Sequence, residues 1–184
     1  MNENLTPQIR LGIDIGRVLI DGAAHPDGGD TAFFTGDHLR TPPMAGAFDV
    51  LPRLVERFGG QAWLISKCGP RVQARTREWL AHHRFAERAG IPDGNLRFCL
   101  RRPEKAGICA GLGITHMVDD RADIHATLDG VVPHRFLFGP QPGPPGPGVV
   151  HVPTWADAEA AILATLAARG QTACAPGRTG GCRA

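Results

Sequence analysis

The chain lacks tyrosine altogether, so no phenol hydroxyl is available as a nucleophile or general acid. It has no apolar run long enough to span a membrane, and no apolar segment of the secretory kind follows Met1. Neither sign of charge is in excess, since the formal net charge is +2 at pH 7. It also has no internal repeat. We therefore expect neither a membrane nor a nucleic acid as a partner.

Cysteine is scarce and irregularly placed. The five cysteines form no spacing typical of a metal site or a disulfide framework. They are Cys68, Cys99, Cys109, Cys174 and Cys182. Free thiols are typical of a reducing compartment, so we expect a cytoplasmic protein.

The chain does contain a series of short apolar runs separated by helical patterns. Its 184 residues, 42% of them apolar, suffice for the core of one ordinary domain. The predicted strands cover residues 12–14, 62–65, 96–100, 114–118 and 135–138, with 149–152 as a last edge strand. Their alternation with helices predicts an α/β fold with a parallel sheet of about five strands and helices on both faces.

We expect a single domain over residues 1–169. Residues 21–43 have no helical or strand period and predict a flap, in which Phe33-Phe34 is an apolar pair able to fold onto the body. The Gly-Pro segment 139–148 predicts an exposed connection. Residues 170–184 are small and polar, and predict a disordered tail.

Polar side chains stand where predicted strands and helices meet one edge of the sheet. They are Asp14, Ser66 with Lys67, Lys105, and Asp119-Asp120. The carboxyl ends of parallel strands share the edge where open α/β proteins bind ligands. Facing carboxylates resist ionising, and a hard cation such as Mg²⁺ relieves their repulsion. A lysine and a hydroxyl beside that cation would bind a dianionic phosphoryl group.

In this order the strand and helix ends resemble the four motifs of the haloacid dehalogenase (HAD) superfamily, whose members are mostly Mg²⁺-dependent phosphatases. The resemblance covers roughly residues 10–166. The family's D-x-D-x-[TV] motif appears as Asp14-Ile15-Gly16-Arg17-Val18, its strand ending in Ser or Thr as Ala62-Trp63-Leu64-Ile65-Ser66, its lysine as Lys105, and its acidic pair as Met117-Val118-Asp119-Asp120 with Asp123 after it. The form Asp119-Asp120-Arg121 resembles the 5'-nucleotidase-like branch.

The resemblance implies a three-layer Rossmann-like fold with a minimal cap, and a hydrolase that cleaves a phosphate ester. Asp14 would be the nucleophile that forms an aspartyl-phosphate. The implied phosphate-binding residues are Ser66, Lys67 and Lys105, and Arg101 or Arg102 is a further candidate. The implied Mg²⁺ ligands are Asp14, the Gly16 carbonyl and Asp120, with Asp119 nearby or acting through water.

One position departs from the family pattern. The second Asp of the first motif, which protonates the leaving group and then activates water, is here Gly16. The candidates to replace it are His25, His38, Asp37 and Asp21. General acid–base assistance typically contributes about 10²–10⁴-fold.

Its loss leaves three options open: leaving groups that need little protonation, another group in place of the acid, or a site that binds a phosphorylated ligand without efficient turnover. Three functions are therefore candidates. The first is a phosphatase for a small phosphate ester, with nucleotides among the candidates. The second is a catalytically weakened phosphate-binding protein, and the third a dehalogenase, although the short flap offers no obvious halide cradle. A short cap leaves the site open, which leaves two alternatives: a large substrate, or a homodimer partner that covers the site.

Overall fold

The computed structural model describes residues 8–173 of the chain. The strands are β1 (Leu11–Ile13), β2 (Ala62–Lys67), β3 (Leu96–Cys99), β4 (His116–Asp119), β5 (His134–Phe138) and β6 (Val149–Val152). They form one sheet in the order β3-β2-β1-β4-β5-β6, and every neighbouring pair is parallel. The predicted α/β fold is confirmed, with a sheet of six strands rather than about five because β6 pairs with β5.

Seven α-helices connect and cover these strands within the described residues. They are α1 (Asp30–Thr35), α2 (Ala47–Arg57), α3 (Pro70–His82), α4 (Phe85–Ala89), α5 (Arg102–Leu112), α6 (Ala122–Thr127) and α7 (Trp155–Ala173). None of the helices in residues 8–173 combines the length and the apolar character needed to cross a membrane.

The sheet carries a separate apolar core on each face, and β2 shows why its sequence is almost continuously apolar. Ala62 and Leu64 point into the larger core, which includes side chains of α2, α3 and α7. Trp63 and Ile65 point into the smaller core, against side chains of α5 and α6. Because successive side chains of a strand face opposite ways, a strand covered on both sides needs apolar residues at every position.

The strand order places the candidate chemistry at the centre of one edge. The chain runs from β1 outward through β2 to β3, then returns to pair β4 with the other side of β1. The order therefore reverses between β1 and β4, and such a switch point opens a crevice at the carboxyl ends of the strands. Ile13 pairs with Val118 on one side and with Leu64 on the other. Asp14 and Asp119, which follow Ile13 and Val118, are therefore neighbours, and Ser66 lies at the same edge two residues beyond Leu64.

The flap contains more regular structure than its sequence predicts. Residues 21–43 include the short helix α1 and two 3₁₀ turns, Gly22–Ala24 and His38–Arg40. Six residues between Gly29 and Gly36 are too few to show a helical period, so the prediction of a loop was wrong at α1. Phe33 is buried as predicted, whereas Phe34 is 46% exposed.

The last helix begins as predicted and ends later. Thr154 and Asp157 form a reciprocal cap, because the Thr154 N–H donates to the Asp157 carboxylate and the Asp157 N–H donates to the Thr154 hydroxyl. The helix continues to Ala173, so the predicted disorder is wrong for residues 170–173. Residues 174–184 of the predicted tail lie outside the described residues, as do Cys174 and Cys182. Within the described part, Cys68, Cys99 and Cys109 are free thiols.

Candidate active site

A buried lysine joins two carboxylates at the carboxyl edge of the sheet. Lys105 Nζ lies 2.8 Å from Asp14 Oδ1 and 2.6 Å from Asp119 Oδ2. Lys105 stands in the first turn of α5, where the Glu104 carboxylate accepts the backbone N–H groups of Leu100 and Arg101. Asp14 directly follows β1 and Asp119 is the last residue of β4. The structure thus brings together three residues that lie far apart in the sequence.

Burial controls the protonation of this cluster. Burial by itself would lower the pKa of Lys105, but the charges of Asp14 and Asp119 and their hydrogen bonds to Nζ outweigh it and raise that pKa. Burial, and then the charge of Asp14, raise the pKa of Asp119 to about 7. The same two causes raise the pKa of Asp120 to about 6. Lys105 is therefore a permanent cation, whereas the carboxylates gather more negative charge than it can balance.

The carboxylates could hold a metal ion. One oxygen from each of Asp14, Asp119 and Asp120 lies within 4.8 Å of the others. A donor set made only of carboxylate oxygens suits Mg²⁺ or another hard cation. A divalent cation between them would also offset the repulsion that, together with burial, raises the two pKa values. The set matches three of the four predicted metal ligands, and Gly16 lines a cavity beside Asp14 and Asp120.

Two cavities open onto Asp14. The smaller, of about 180 Å³, is lined by Asp14, Lys67, Arg102, Lys105, Asp119, Arg121 and Ile124. Four of these side chains are cations, so the cavity suits a phosphoryl dianion. The larger, of about 260 Å³, includes Gly16, Ser66, Lys67 and a wall of apolar side chains. Lys67 lines both cavities, whereas Ser66 and Gly16 line the larger one.

Arg102 and Arg121 converge at the rim of the smaller cavity because both pair with Asp123. Arg102 Nη1 lies 3.2 Å from Asp123 Oδ2, and Arg121 Nε lies 2.9 Å from Asp123 Oδ1. Of the two arginines weighed from the sequence, Arg102 lines the cavity. Arg101 instead pairs with Glu104. Arg121 was missed as a cavity residue, since its position after the acidic pair predicts only a helix start.

The Gly-Pro segment contacts the site, which its composition does not reveal. Gln141 Nε2 donates to the backbone carbonyl oxygens of Asp120, at 3.0 Å, and Phe138, at 2.8 Å. The segment was predicted to be only an exposed connection. A single glutamine among prolines and glycines is the signal that could have identified this contact.

A solved structure shares this arrangement of helices and strands. It is the crystal structure of a haloacid dehalogenase-like family hydrolase from Xanthomonas campestris, with a TM-score of 0.59 and 12% sequence identity. The likeness covers 90% of this chain and 99% of that chain. This chain has the haloacid dehalogenase (HAD) fold. Neither a family model nor a curated protein sequence matches it. The 5'-nucleotidase-like branch stays a prediction.

Within this HAD fold, two of the candidates to replace the missing acid, His25 and Asp37, form hydrogen bonds inside the flap. His25 is buried, its Nδ1 accepts the Asp27 N–H, and its Nε2 lies 3.0 Å from the Asp37 carbonyl oxygen. The Asp37 carboxylate accepts the Leu39 N–H. Neither residue lines the cavities that open onto Asp14.

The other two substitutes also lie away from Asp14. His38 Nε2 stands 2.8 Å from Glu78 Oε2. Asp21 accepts the Ala24 N–H and lines a third cavity, of about 510 Å³, which meets the larger one at Arg17 and Asp120. None of the four candidates therefore lines a cavity with Asp14.

The described structure leaves room for a side chain at Gly16, the position that departs from the family's first motif. A Cβ atom added at Gly16 would meet no heavy atom within 4 Å, and its backbone is not left-handed. The left-handed residue is its neighbour, Arg17, at φ 60°. An L side chain at Gly16 is consequently compatible with the HAD fold as it stands.

Proposed function

We propose that this HAD-fold protein is a Mg²⁺-dependent phosphohydrolase that cleaves a phosphate monoester through an aspartyl-phosphate on Asp14. The observation that carries the proposal is the position of Asp14. Its carboxylate is held by Lys105 where a cationic cavity adjoins a cluster of three carboxylates. Such a place suits a nucleophile that must approach a dianion.

Each residue has a separate task in this reaction. Ser66, Lys67 and Lys105 bind the phosphoryl oxygens, and Lys105 also orients the Asp14 carboxylate. Asp14, Asp120 and the Gly16 carbonyl would hold Mg²⁺, with Asp119 beside it. When bound, the ion offsets the negative charge shared by the carboxylates and the phosphoryl group.

The two covalent steps consume one water molecule, whose proton passes to solvent or to the released leaving group. A carboxylate oxygen of Asp14 bonds to phosphorus while the phosphorus–ester oxygen bond breaks and the leaving oxygen takes the electron pair. Water then attacks the phosphorus of the aspartyl-phosphate. The bond to Asp14 breaks, the carboxylate is restored, and inorganic phosphate departs.

One observation favours a second candidate, a phosphate-binding protein with little turnover. Gly16 carries no acid, and none of its four predicted substitutes lines a cavity with Asp14. The cationic cavity would still bind phosphate in such a protein.

Turnover of 4-nitrophenyl phosphate with Mg²⁺ separates the two candidates. We expect the wild type to release 4-nitrophenol and Asp14→Asn to lose that activity, because an amide oxygen is a far weaker nucleophile. Asp93→Asn makes the same change at an exposed aspartate before β3, at the opposite edge of the sheet, and should remain active. Phosphate binding with no turnover of any ester would support the binding protein. Chloride release from a 2-haloacid without metal would support a dehalogenase.

The affinity for Mg²⁺ should depend on pH. Protons compete with the metal for Asp119 and Asp120, whose pKa values in the metal-free protein are about 7 and about 6. Below these values the carboxylates are protonated, so affinity should fall roughly tenfold or more from pH 8 to pH 6. Isothermal titration at both pH values measures the change. Asp120→Asn should weaken binding at pH 8 and reduce the pH dependence, whereas equal wild-type affinity at both pH values would contradict a site at these carboxylates.

A further inference from the structure

The larger cavity beside Asp14 has an aromatic side chain at its mouth. Phe34 is 46% exposed, and its ring meets Phe33 edge to face with centroids 5.6 Å apart. Ile20 and Val72 extend the apolar wall. Three large hydrophobic side chains are exposed among the described residues, and Phe34 is the aromatic one. A leaving group that enters this cavity therefore meets an apolar and partly aromatic surface.

This wall is attached to the body of the protein. Arg75 of α3 donates from Nη1 to the carbonyl oxygens of Phe33, at 3.0 Å, and Gly36, at 2.8 Å. The two bonds tie the C-terminal half of α1 and its C-cap residue to α3, whose Trp79 and Leu80 are part of the larger core. The position of Phe34 relative to Asp14 is consequently set by the fold.

The same cavity lacks a group suited to protonate a departing oxygen. Its carboxylates are the nucleophile, Asp14, and a proposed metal ligand, Asp120. Cys68 directly follows Ser66 and Lys67, on the phosphate-binding side of the cavity. An alkyl ester needs a general acid because its leaving group is an alkoxide, which is about as basic as hydroxide. Water, the conjugate acid of hydroxide, has a pKa of about 15.7. A phenol, with a pKa of about 10, departs as the anion far more readily.

A cationic side chain, that of Arg17, lies next to the position where the acid is missing. Arg17 follows Gly16 directly, lines the larger cavity, and places Nη1 3.9 Å from Asp120 Oδ2. Its backbone is left-handed, a conformation that glycine would adopt without strain. Strained residues of this kind are typical of functional sites. A guanidinium can stabilise negative charge on an oxygen without transferring a proton to it.

We infer that the site is built for phosphate esters of phenols, with the ring of the leaving group against Phe34 and its oxygen facing Arg17. The inference rests on the proposed function. The phosphorus–oxygen bond breaks as Asp14 attacks, the phenolate leaves with the electron pair, and solvent water supplies its proton. Nucleoside 5'-monophosphates, which are alkyl esters, should be poor substrates.

The test compares kcat/KM, which reports formation of the aspartyl-phosphate, across esters. Wild-type kcat/KM should be at least about 10²-fold higher for phenyl phosphate than for glycerol phosphate or a nucleoside 5'-monophosphate. Arg17→Met should lower kcat/KM about tenfold or more for phenyl phosphate and less for the more acidic 4-nitrophenyl ester. Arg17→Lys, which keeps the charge, should recover part of this loss.

A binding measurement makes the test independent of turnover. Phenylphosphonate should bind more tightly than methylphosphonate to the wild type, and Phe34→Ala should remove that difference while leaving methylphosphonate binding unchanged. Equal kcat/KM for aryl and alkyl esters, with Asp14-dependent turnover, would overturn this inference alone. An equal loss of kcat/KM on all esters in Arg17→Met would likewise overturn this inference alone. Absence of Asp14-dependent turnover on every ester would overturn the proposed function together with it.

Discussion

Gly16→Asp is expected to raise kcat/KM for an alkyl phosphate such as glycerol phosphate by about 10²-fold or more. The new carboxyl group would occupy the position from which HAD phosphatases protonate the leaving group. There is room for it, because a Cβ at Gly16 meets no atom within 4 Å and the backbone is not left-handed. The three nearby carboxylates would favour its protonated form, which is the form that donates.

The same substitution should change the second half of the reaction. In the wild type no base activates the water that attacks the aspartyl-phosphate, so we expect the phosphoenzyme to accumulate. The accumulation should be visible as a burst of released 4-nitrophenol in the first turnover. Gly16→Asp should shorten the life of the phosphoenzyme and remove the burst. Rapid-quench assays with 4-nitrophenyl phosphate measure both quantities.

Gly16→Asn is the matched control, because asparagine has the same shape and cannot transfer a proton. It should stay within a few-fold of the wild type on alkyl esters. A gain that is equal in Asn and Asp would show that the side chain acts by packing. No gain in either variant would show that proton transfer to the leaving group does not limit turnover.

Lys105→Met is expected to lower the free energy of unfolding by about 3–5 kcal/mol at pH 8 in the absence of metal. Lys105 is 1% exposed and its Nζ bonds to both Asp14 and Asp119. Methionine fills similar space but leaves two buried carboxylates facing each other without a cation. Urea unfolding measures the loss, and Lys67→Met makes the same change at an exposed lysine, where we expect less than about 1 kcal/mol.

The pH dependence of this defect has a definite sign. Without Lys105 the pKa of Asp119, which burial and the charge of Asp14 already raise, should lie further above its value in the unfolded chain. The folded state then binds more protons than the unfolded state, so the variant regains stability as pH falls from 8 towards 5. Added Mg²⁺ should also restore part of it at pH 8. A loss below about 1 kcal/mol at pH 8 would contradict a structural role for this ion cluster.

Much of the fold could be predicted because strand signals are local. Buried parallel strands need apolar residues at every position, so β2 and β4 stand out as runs that end in polar residues. Parallel pairing then places Asp14, Ser66 and Asp119 at one edge without further information. The short helix α1 was missed because six residues carry too little periodicity.

Side-chain direction could not be predicted, because it depends on contacts between distant parts of the chain. His25 looked available as an acid, but both its ring nitrogens are engaged inside the flap. Arg121 looked like a helix start, but its pairing with Asp123 places it at the rim of the smaller cavity beside Asp14. Gln141 looked like part of a spacer, yet it holds the Asp120 carbonyl.

The sequence by itself determined the parallel α/β sheet, the residues at its carboxyl edge, and the absence of an acid at Gly16. Each of these follows from the order of residues along the chain. Only the tertiary structure decided that Lys105 lies between Asp14 and Asp119, that no predicted substitute lines either cavity that opens onto Asp14, and that Phe34 and Arg17 border the larger of these cavities. These facts depend on packing between elements far apart in sequence, where burial sets both the position of a side chain and its charge.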